Sequence, residues 1–182
     1  MKVPSDKNEY LIQMKFVVII TLSIIILIAC DGGLAPTGSD IANKTGFGGT
    51  VTFVGEWDSQ ITQTNIVVFK DPLLSEADFD ITNLKYLSTS IPYGSSEYSY
   101  NTIDSIIFGN IESGNFAYLA VVQTKNEEIS MDRKDWFVVG VYQSEDLGIE
   151  PGAITVEKNK FKFDVDIICD FNNPPQQPPG GE

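Results

Sequence analysis

The longest apolar run of the chain comes early: Phe16 to Ala29 (FVVIITLSIIILIA) carries no charge, and Cys30 follows it directly. Beyond it the pattern changes twice. Asp31 to Gly49 is rich in Gly, Ser, Thr and Asn and has no apolar period, the composition of a flexible tether. From Thr50 the period becomes two: Thr50-Val51-Thr52-Phe53-Val54 alternates before Gly55, and Asn65 to Phe69 is a β-branched run. Tyr98 to Ile103 and Ser105 to Phe108 are further candidate strands, and Ala153 to Glu157 and Lys162 to Phe171 close the series. Phe116 to Gln123 (FAYLAVVQ) and Trp136 to Tyr142 (WFVVGVY) are almost continuously apolar, as strands buried on both faces are. Seven or eight short strands with turn residues between them predict an all-β sandwich or small barrel. The single helical signal is Ser75-Glu76-Ala77-Asp78 after Pro72, a capped turn. Asn172 to Glu182 (NNPPQQPPGGE) reads as a disordered, proline-extended tail.

The first apolar run is an export signal rather than a span. A helix of this length covers roughly 21 Å at ~1.5 Å per residue, short of a ~30 Å hydrocarbon core. Lys15 supplies the positive flank of a signal peptide, predicted as an N-terminal signal helix over residues 1–29. The run ends Leu27-Ile28-Ala29-Cys30, which resembles the bacterial lipobox: an aliphatic residue, a tolerant position, a small residue, then the acylated cysteine. That resemblance implies cleavage before Cys30, diacylglycerol on its thiol, and an extracytoplasmic protein held to a membrane by lipid. Asp31 is similar to an inner-membrane retention signal of enteric bacteria, a rule that does not transfer between lineages, so inner and outer membrane both stay open. Pro4, Asp6 and Glu9 fit an export signal poorly, and Met14-Lys15 makes a cleaner start.

Within the β pattern a second resemblance is carried by short motifs. Gly49-Thr50-Val51-Thr52-Phe53 resembles the opening strand of transthyretin-like (prealbumin-like, carboxypeptidase regulatory-like) domains. Ser113-Gly114-Asn115-Phe116-Ala117-Tyr118 is similar to their small-Gly-x-aromatic lead-in to a central strand, and Ile154-Thr155-Val156 with Asn159 and Asp164 to Asp170 to their closing pair. The likeness covers roughly residues 46–171 and is interrupted by a long segment, about Asp71 to Glu97. It implies a seven- or eight-stranded Greek-key sandwich over residues 49–171, between a tether (30–48) and a tail (172–182). It implies no activity, since such domains are mostly accessory or adhesive.

Charge narrows the partners. From Cys30 onward there are 9 Lys+Arg against 23 Asp+Glu, a net charge of −14. Such a surface repels phosphate backbones, which argues against nucleic acid. The chain has no histidine, which removes Ser-His-Asp and Cys-His catalysis and the commonest zinc ligand. With Cys30 acylated, Cys169 has no partner for a disulfide.

Three constellations remain. In the last strand, alternation puts Val165, Ile167, Cys169 and Phe171 on one face and Asp164, Asp166, Ile168 and Asp170 on the other. Asp164 and Asp166, ~6.6 Å apart at ~3.3 Å rise, are the weak alternative for a calcium site; a solvated acidic face is the simpler reading. Acid pairs at the ~5–9.5 Å spacing of glycoside hydrolysis arise by chance in so acidic a chain. Aromatics gather around the long segment: Tyr86, Tyr93, Tyr98 and Tyr100, with Trp57 near the first turn. Such rings either present a platform to a sugar or partner chain, or cover the ends of the sandwich with their hydroxyls wet. Glu127 to Asp135, with Arg133 and Lys134, reads as a solvated loop.

The sequence therefore predicts an envelope protein without a cofactor and without enzymatic activity. Its expected partners are the membrane, through Cys30, and an envelope protein or polysaccharide. The long segment is expected to fold back as an ordered cap or an extra strand, with Tyr93 at its tip facing solvent.

Overall fold

A computed structural model describes residues 41–143 and 151–181; the apolar run, Cys30 and most of the tether lie outside them. The described chain is all-β, with eleven strand segments among these residues. Strand β1 (Gly46–Val54) organises one sheet. It pairs antiparallel with β4 (Glu97–Asn101) along one edge. Along the other it pairs parallel, first with β10 (Phe161–Lys162) and then with β11 (Ile167–Asp170). The second sheet has the order β5 (Ile106–Gly109), β3 (Leu84–Ser88), β2 (Gln63–Phe69), β7 (Tyr118–Thr124), β8 (Phe137–Val141), all neighbours antiparallel. A small third pair joins β6 (Gly114–Phe116) to β9 (Ile154–Val156).

The near-continuous apolar runs are explained by burial on two sides. Leu119 and Val121 of β7 join Ile66 and Val68 of β2 in a core shared with Val51, Phe53, Ile167 and Cys169 of the first sheet. The alternate residues Tyr118, Ala120 and Val122 face the other way, into a second core closed by Leu73, Phe79 and Trp136. Each buried Val, Leu or Phe contributes about 1.5–3 kcal/mol, so neither face of β7 tolerates a charge. In the last strand the alternation falls as expected: Val165, Ile167 and Cys169 are buried, and Ile168 is 68% exposed.

Three expectations change. The domain starts before residue 49: β1 begins at Gly46, Phe47 is fully buried, and Asn159 N–H donates to Thr45 Oγ1 (2.8 Å). The segment 71–97 is ordered as expected: its extra strand, β3, bridges β2 and β5, and Glu76–Asp78 forms a 3-10 turn. Lys162 to Phe171 is two strands, not one, because Asp164 adopts φ 59° between them. Arg133 is 3% exposed and no solvated-loop residue; its segment folds over the second core, where Trp136 Nε1 donates to Ser130 O (2.7 Å).

The C-terminal tail differs most from its reading as disordered. It runs along the outer edge of β8 as a strap. Gln177 uses its side-chain amide as a strand would use its backbone: Val138 N–H donates to Gln177 Oε1 (2.9 Å) and Gln177 Nε2 donates to Val138 O (2.8 Å). Arg133 Nη2 donates to Pro178 O (3.0 Å), and Pro178 is buried. Polyproline geometry keeps such a strap extended with little entropy left to lose, which is why a segment without an apolar period is ordered here.

Candidate functional site

Two loops meet at one end of the first sheet: residues 55–62, which lead from β1 to β2, and residues 89–96, which lead from β3 to β4. Gly55 at φ 97° turns the chain out of β1 so that Trp57 folds back over the sheet end. Its ring lies 4.7 Å from Phe53 and 5.3 Å from Phe171, centroid to centroid. Tyr93 stands edge-on to the same indole at 5.3 Å. Trp57 Nε1 donates to Ser95 O (3.2 Å) and Tyr93 OH to Trp57 O (3.4 Å), so each loop pins the other. Tyr93 remains 58% exposed.

Grooves flank this tip. One of about 180 Å³ runs beside Tyr93 between Ile61–Thr64 and Ser90–Pro92. A larger one of about 360 Å³ lies on the other side of Ile61, lined by Glu56, Asp58, Gln123, Lys125, Phe137 and Pro174 among others. Its polar rim is an exposed ion pair, Lys125 Nζ to Asp58 at 3.1 Å. The backbone N–H of Gln60, donating at 2.9 Å, and the Lys125 ammonium hold the Asp58 carboxyl below its usual range. An aromatic edge beside an open groove with a few polar groups can stack a flat ring or an extended chain.

The four tyrosines singled out by the sequence do not form one platform. Tyr86 and Tyr100 are core residues and leave no ring face for a partner. Tyr86 OH donates to Ser105 O (2.6 Å) and Tyr100 OH to Val165 O (2.7 Å), and burial pushes both phenols well above their usual range. Tyr98 is half-buried against the core, and Tyr93 alone of the four is exposed. What joins Tyr93 is Trp57, with Phe53 and Phe171 behind it; Phe171 signals itself in the sequence only as the last inward position of the closing strand.

The acidic face is separated too. Asp166 Oδ1 accepts from Thr50 N–H (2.7 Å), which ties β11 to β1, while Asp164 sits in the left-handed turn before it. Among the described residues no group of three or more His, Cys, Asp or Glu side chains is placed to hold a metal ion. Cys169 is fully buried and unpaired, and burial raises its thiol far above the ordinary range.

No family model, no curated protein and no solved structure matches the chain.

Proposed function

We propose that this chain is a lipid-anchored extracytoplasmic protein whose β domain serves a structural or accessory, non-enzymatic role at the cell envelope. The observation that carries the reading is Leu27-Ile28-Ala29-Cys30 at the end of an uncharged apolar run. Thioether-linked diacylglycerol with a second acyl signal anchors stably, since each buried CH₂ contributes ~0.8 kcal/mol. The fold we propose is a Greek-key sandwich of the transthyretin-like kind. In its support, β4 returns beside β1, and β2 stands between β3 and β7 in the other sheet. Support for the non-enzymatic role comes from the ionisable groups that burial perturbs most. Tyr86, Tyr100, Tyr118 and Cys169 belong to the two cores, and Arg133 lies under the strap. Labelling cells with an alkyne fatty acid tests the anchor: the wild type is tagged and Cys30→Ser is not. Equal tagging of both removes the proposal.

The exposed Tyr93 beside two grooves favours a second reading, a surface module that binds a polysaccharide or an envelope protein with the 71–100 segment. Tyr93→Ala then weakens binding to an envelope polysaccharide array while shifting stability by under about 1 kcal/mol. Unchanged binding rules this reading out.

A further inference from the structure

We propose that the open end of the main core, where three grooves meet at Ile61, binds a neutral linear polysaccharide, with Phe137, Gln123 and the Lys125–Asp58 pair as its sugar contacts. This rests on the polysaccharide reading given for the Tyr93 tip, and it names the ligand's chemistry and the residues that hold it. Three neighbouring strands build the site. Thr64 of β2 stands opposite Gln123 of β7, and Gln123 opposite Phe137 of β8, so the three side chains share one face. That face is the inward one, since Val121, two residues before Gln123, lies in the main core. Gln123 is 5% exposed, and its Nε2 donates to Thr64 Oγ1 (3.2 Å). Its Oε1 has no donor among the described residues, and Gln123 lines the groove of about 360 Å³. An acceptor so little hydrated gains from any donor that reaches it.

Around this row stand the groups a sugar needs. Phe137 is 43% exposed although the rest of β8 is buried, and it offers an open aromatic wall to the C–H face of a pyranose. At the rim, Lys125 Nζ lies 3.1 Å from Asp58 Oδ2 and donates to Gln60 Oε1, which leaves one ammonium donor and a carboxylate with spare lone pairs. A fixed donor beside a fixed acceptor suits two neighbouring hydroxyls, because a hydroxyl both donates and accepts. Ile61 also lines the grooves of about 180 and 240 Å³ on either side, so the site is a trough that takes a chain. Charge selects a neutral chain. Glu56 and Asp58 outnumber Lys125 in the main groove, and the 23 Asp+Glu against 9 Lys+Arg from Cys30 onward repel a polyanion. An extended peptide fits less well: Gln177 already occupies the β8 backbone at Val138, which closes strand addition there.

Amide-shift titration of the full-length chain in detergent micelles tests the proposal. The neutral probes are linear hexasaccharides of glucose, xylose, mannose and N-acetylglucosamine, and the acidic probe is a galacturonate hexamer. At least one neutral probe is expected to shift the amides of 123–125 and 136–138, with a dissociation constant on the order of 1 mM or below. Phe137→Ala and Lys125→Met, both at exposed positions, should each weaken it at least fivefold with a melting curve close to wild type. Gln123→Leu should weaken it as much, and the galacturonate hexamer should bind at least tenfold more weakly. No shift from any neutral probe up to about 10 mM overturns this proposal and the polysaccharide reading together. Binding that Tyr93→Ala weakens while Phe137→Ala and Lys125→Met leave it intact overturns this proposal alone. So does a galacturonate hexamer that binds as tightly as the neutral probes.

Discussion

The two edges of the five-stranded sheet solve the same problem in opposite ways. At β8 a remote segment supplies a side-chain amide that completes the ladder at Val138, and Arg133 clamps the backbone of that segment from beneath. At β5 the edge is kept short and irregular instead: the strand has four residues, pairs with β3 through a register shift and ends at Gly109 with φ 81°, so that Ile107 and Phe108 are partly exposed and the next residues turn away toward β6. The difference is informative because both edges flank the same apolar sheet and run the same risk of unwanted pairing. One edge is covered from outside and the other is cut short and bulged, two different devices against the same unwanted pairing. The strap is also the costlier device. Arg133 is buried with Nε unpartnered and is held by carbonyl oxygens rather than a carboxylate among the described residues. Burial accordingly lowers the guanidinium pKa from its ordinary value.

The comparison breaks first if β8 is not packed as described. A Cβ on Gly140 would stand 2.5 Å from Cys169 Sγ and 2.8 Å from Ile168 O, so Gly140→Ala must push β8 off β11. The expected loss is about 3 kcal/mol in a denaturant titration, the scale of core overpacking. A loss under about 1 kcal/mol would mean that the two sheets are free to separate there. Next comes the clamp. Arg133→Ala removes two hydrogen bonds from a charged donor and its stacking on Phe79, 5.7 Å from the ring centroid. About 2 kcal/mol should go with it, and exchange across 174–181 should accelerate while 106–109 stays as it was.

These same places show what the sequence reveals and what it hides. Strands β7 and β8 are legible because their apolar runs are nearly unbroken, β2 shows itself only in its β-branched half Ile66–Val68 behind the polar Gln63-Thr64-Asn65, and the inward set Val165, Ile167, Cys169 follows from alternation alone. The start of β1 is hidden because Gly46, Gly48 and Gly49 look like tether. They are there for closeness: a side chain at 48 would collide with Tyr100 O, and one at 49 with Val165 O. The strap is hidden for a different reason. Its bonds reach from Gln177 back to Val138 and from Arg133 forward to Pro178, and no local pattern records a contact so distant in sequence. The aromatic tip was half legible: Trp57 and Tyr93 stand out by type. That Tyr86 points inward is set by β3, whose Lys-Tyr-Leu-Ser run does not alternate cleanly, and that Tyr100 does so is set by the pairing of β4 with β1.

Gln177→Ala sharpens the contrast between the edges. It returns Val138 N–H and C=O to water or leaves them half-buried without a partner, at a cost of about 1 kcal/mol. The Val138 amide should exchange markedly faster, which marks β8 as an edge that needs its cover. At β5 the corresponding change should do almost nothing to the isolated chain. Ile107→Thr in dilute protein is expected to shift stability by less than about 0.5 kcal/mol, because the residue has no cover to lose. A shift of about 2 kcal/mol would mean that the edge is already packed within one copy.

The smallest effect tests how the strap's far end is seated. Gly180 rests on the side chain of Glu76, in the 3-10 turn that Asp78 closes. Asp78 accepts from Leu74 N–H (2.9 Å), Ser75 N–H (2.7 Å) and Ser75 Oγ (3.0 Å). Those bonds, the Ser75 hydroxyl foremost, hold its carboxyl below 3.8. A carboxylate whose folded pKa is depressed stabilises the fold fully above its unfolded value and loses that contribution as pH falls through the folded one. The turn should therefore be indifferent to pH above 3.8 and loosen only below it. Asp78→Asn should lower the melting temperature slightly at neutral pH, and the gap from wild type should close well below pH 3.8, where the wild-type side chain is neutral too. The mutant should also speed exchange at the Gly180 and Gly181 amides and leave 106–109 as it was. A gap that persists in acid would show that Asp78 acts through shape rather than charge. The strap's outer end would then be seated by packing alone, as its inner end at Pro178 is seated by Arg133.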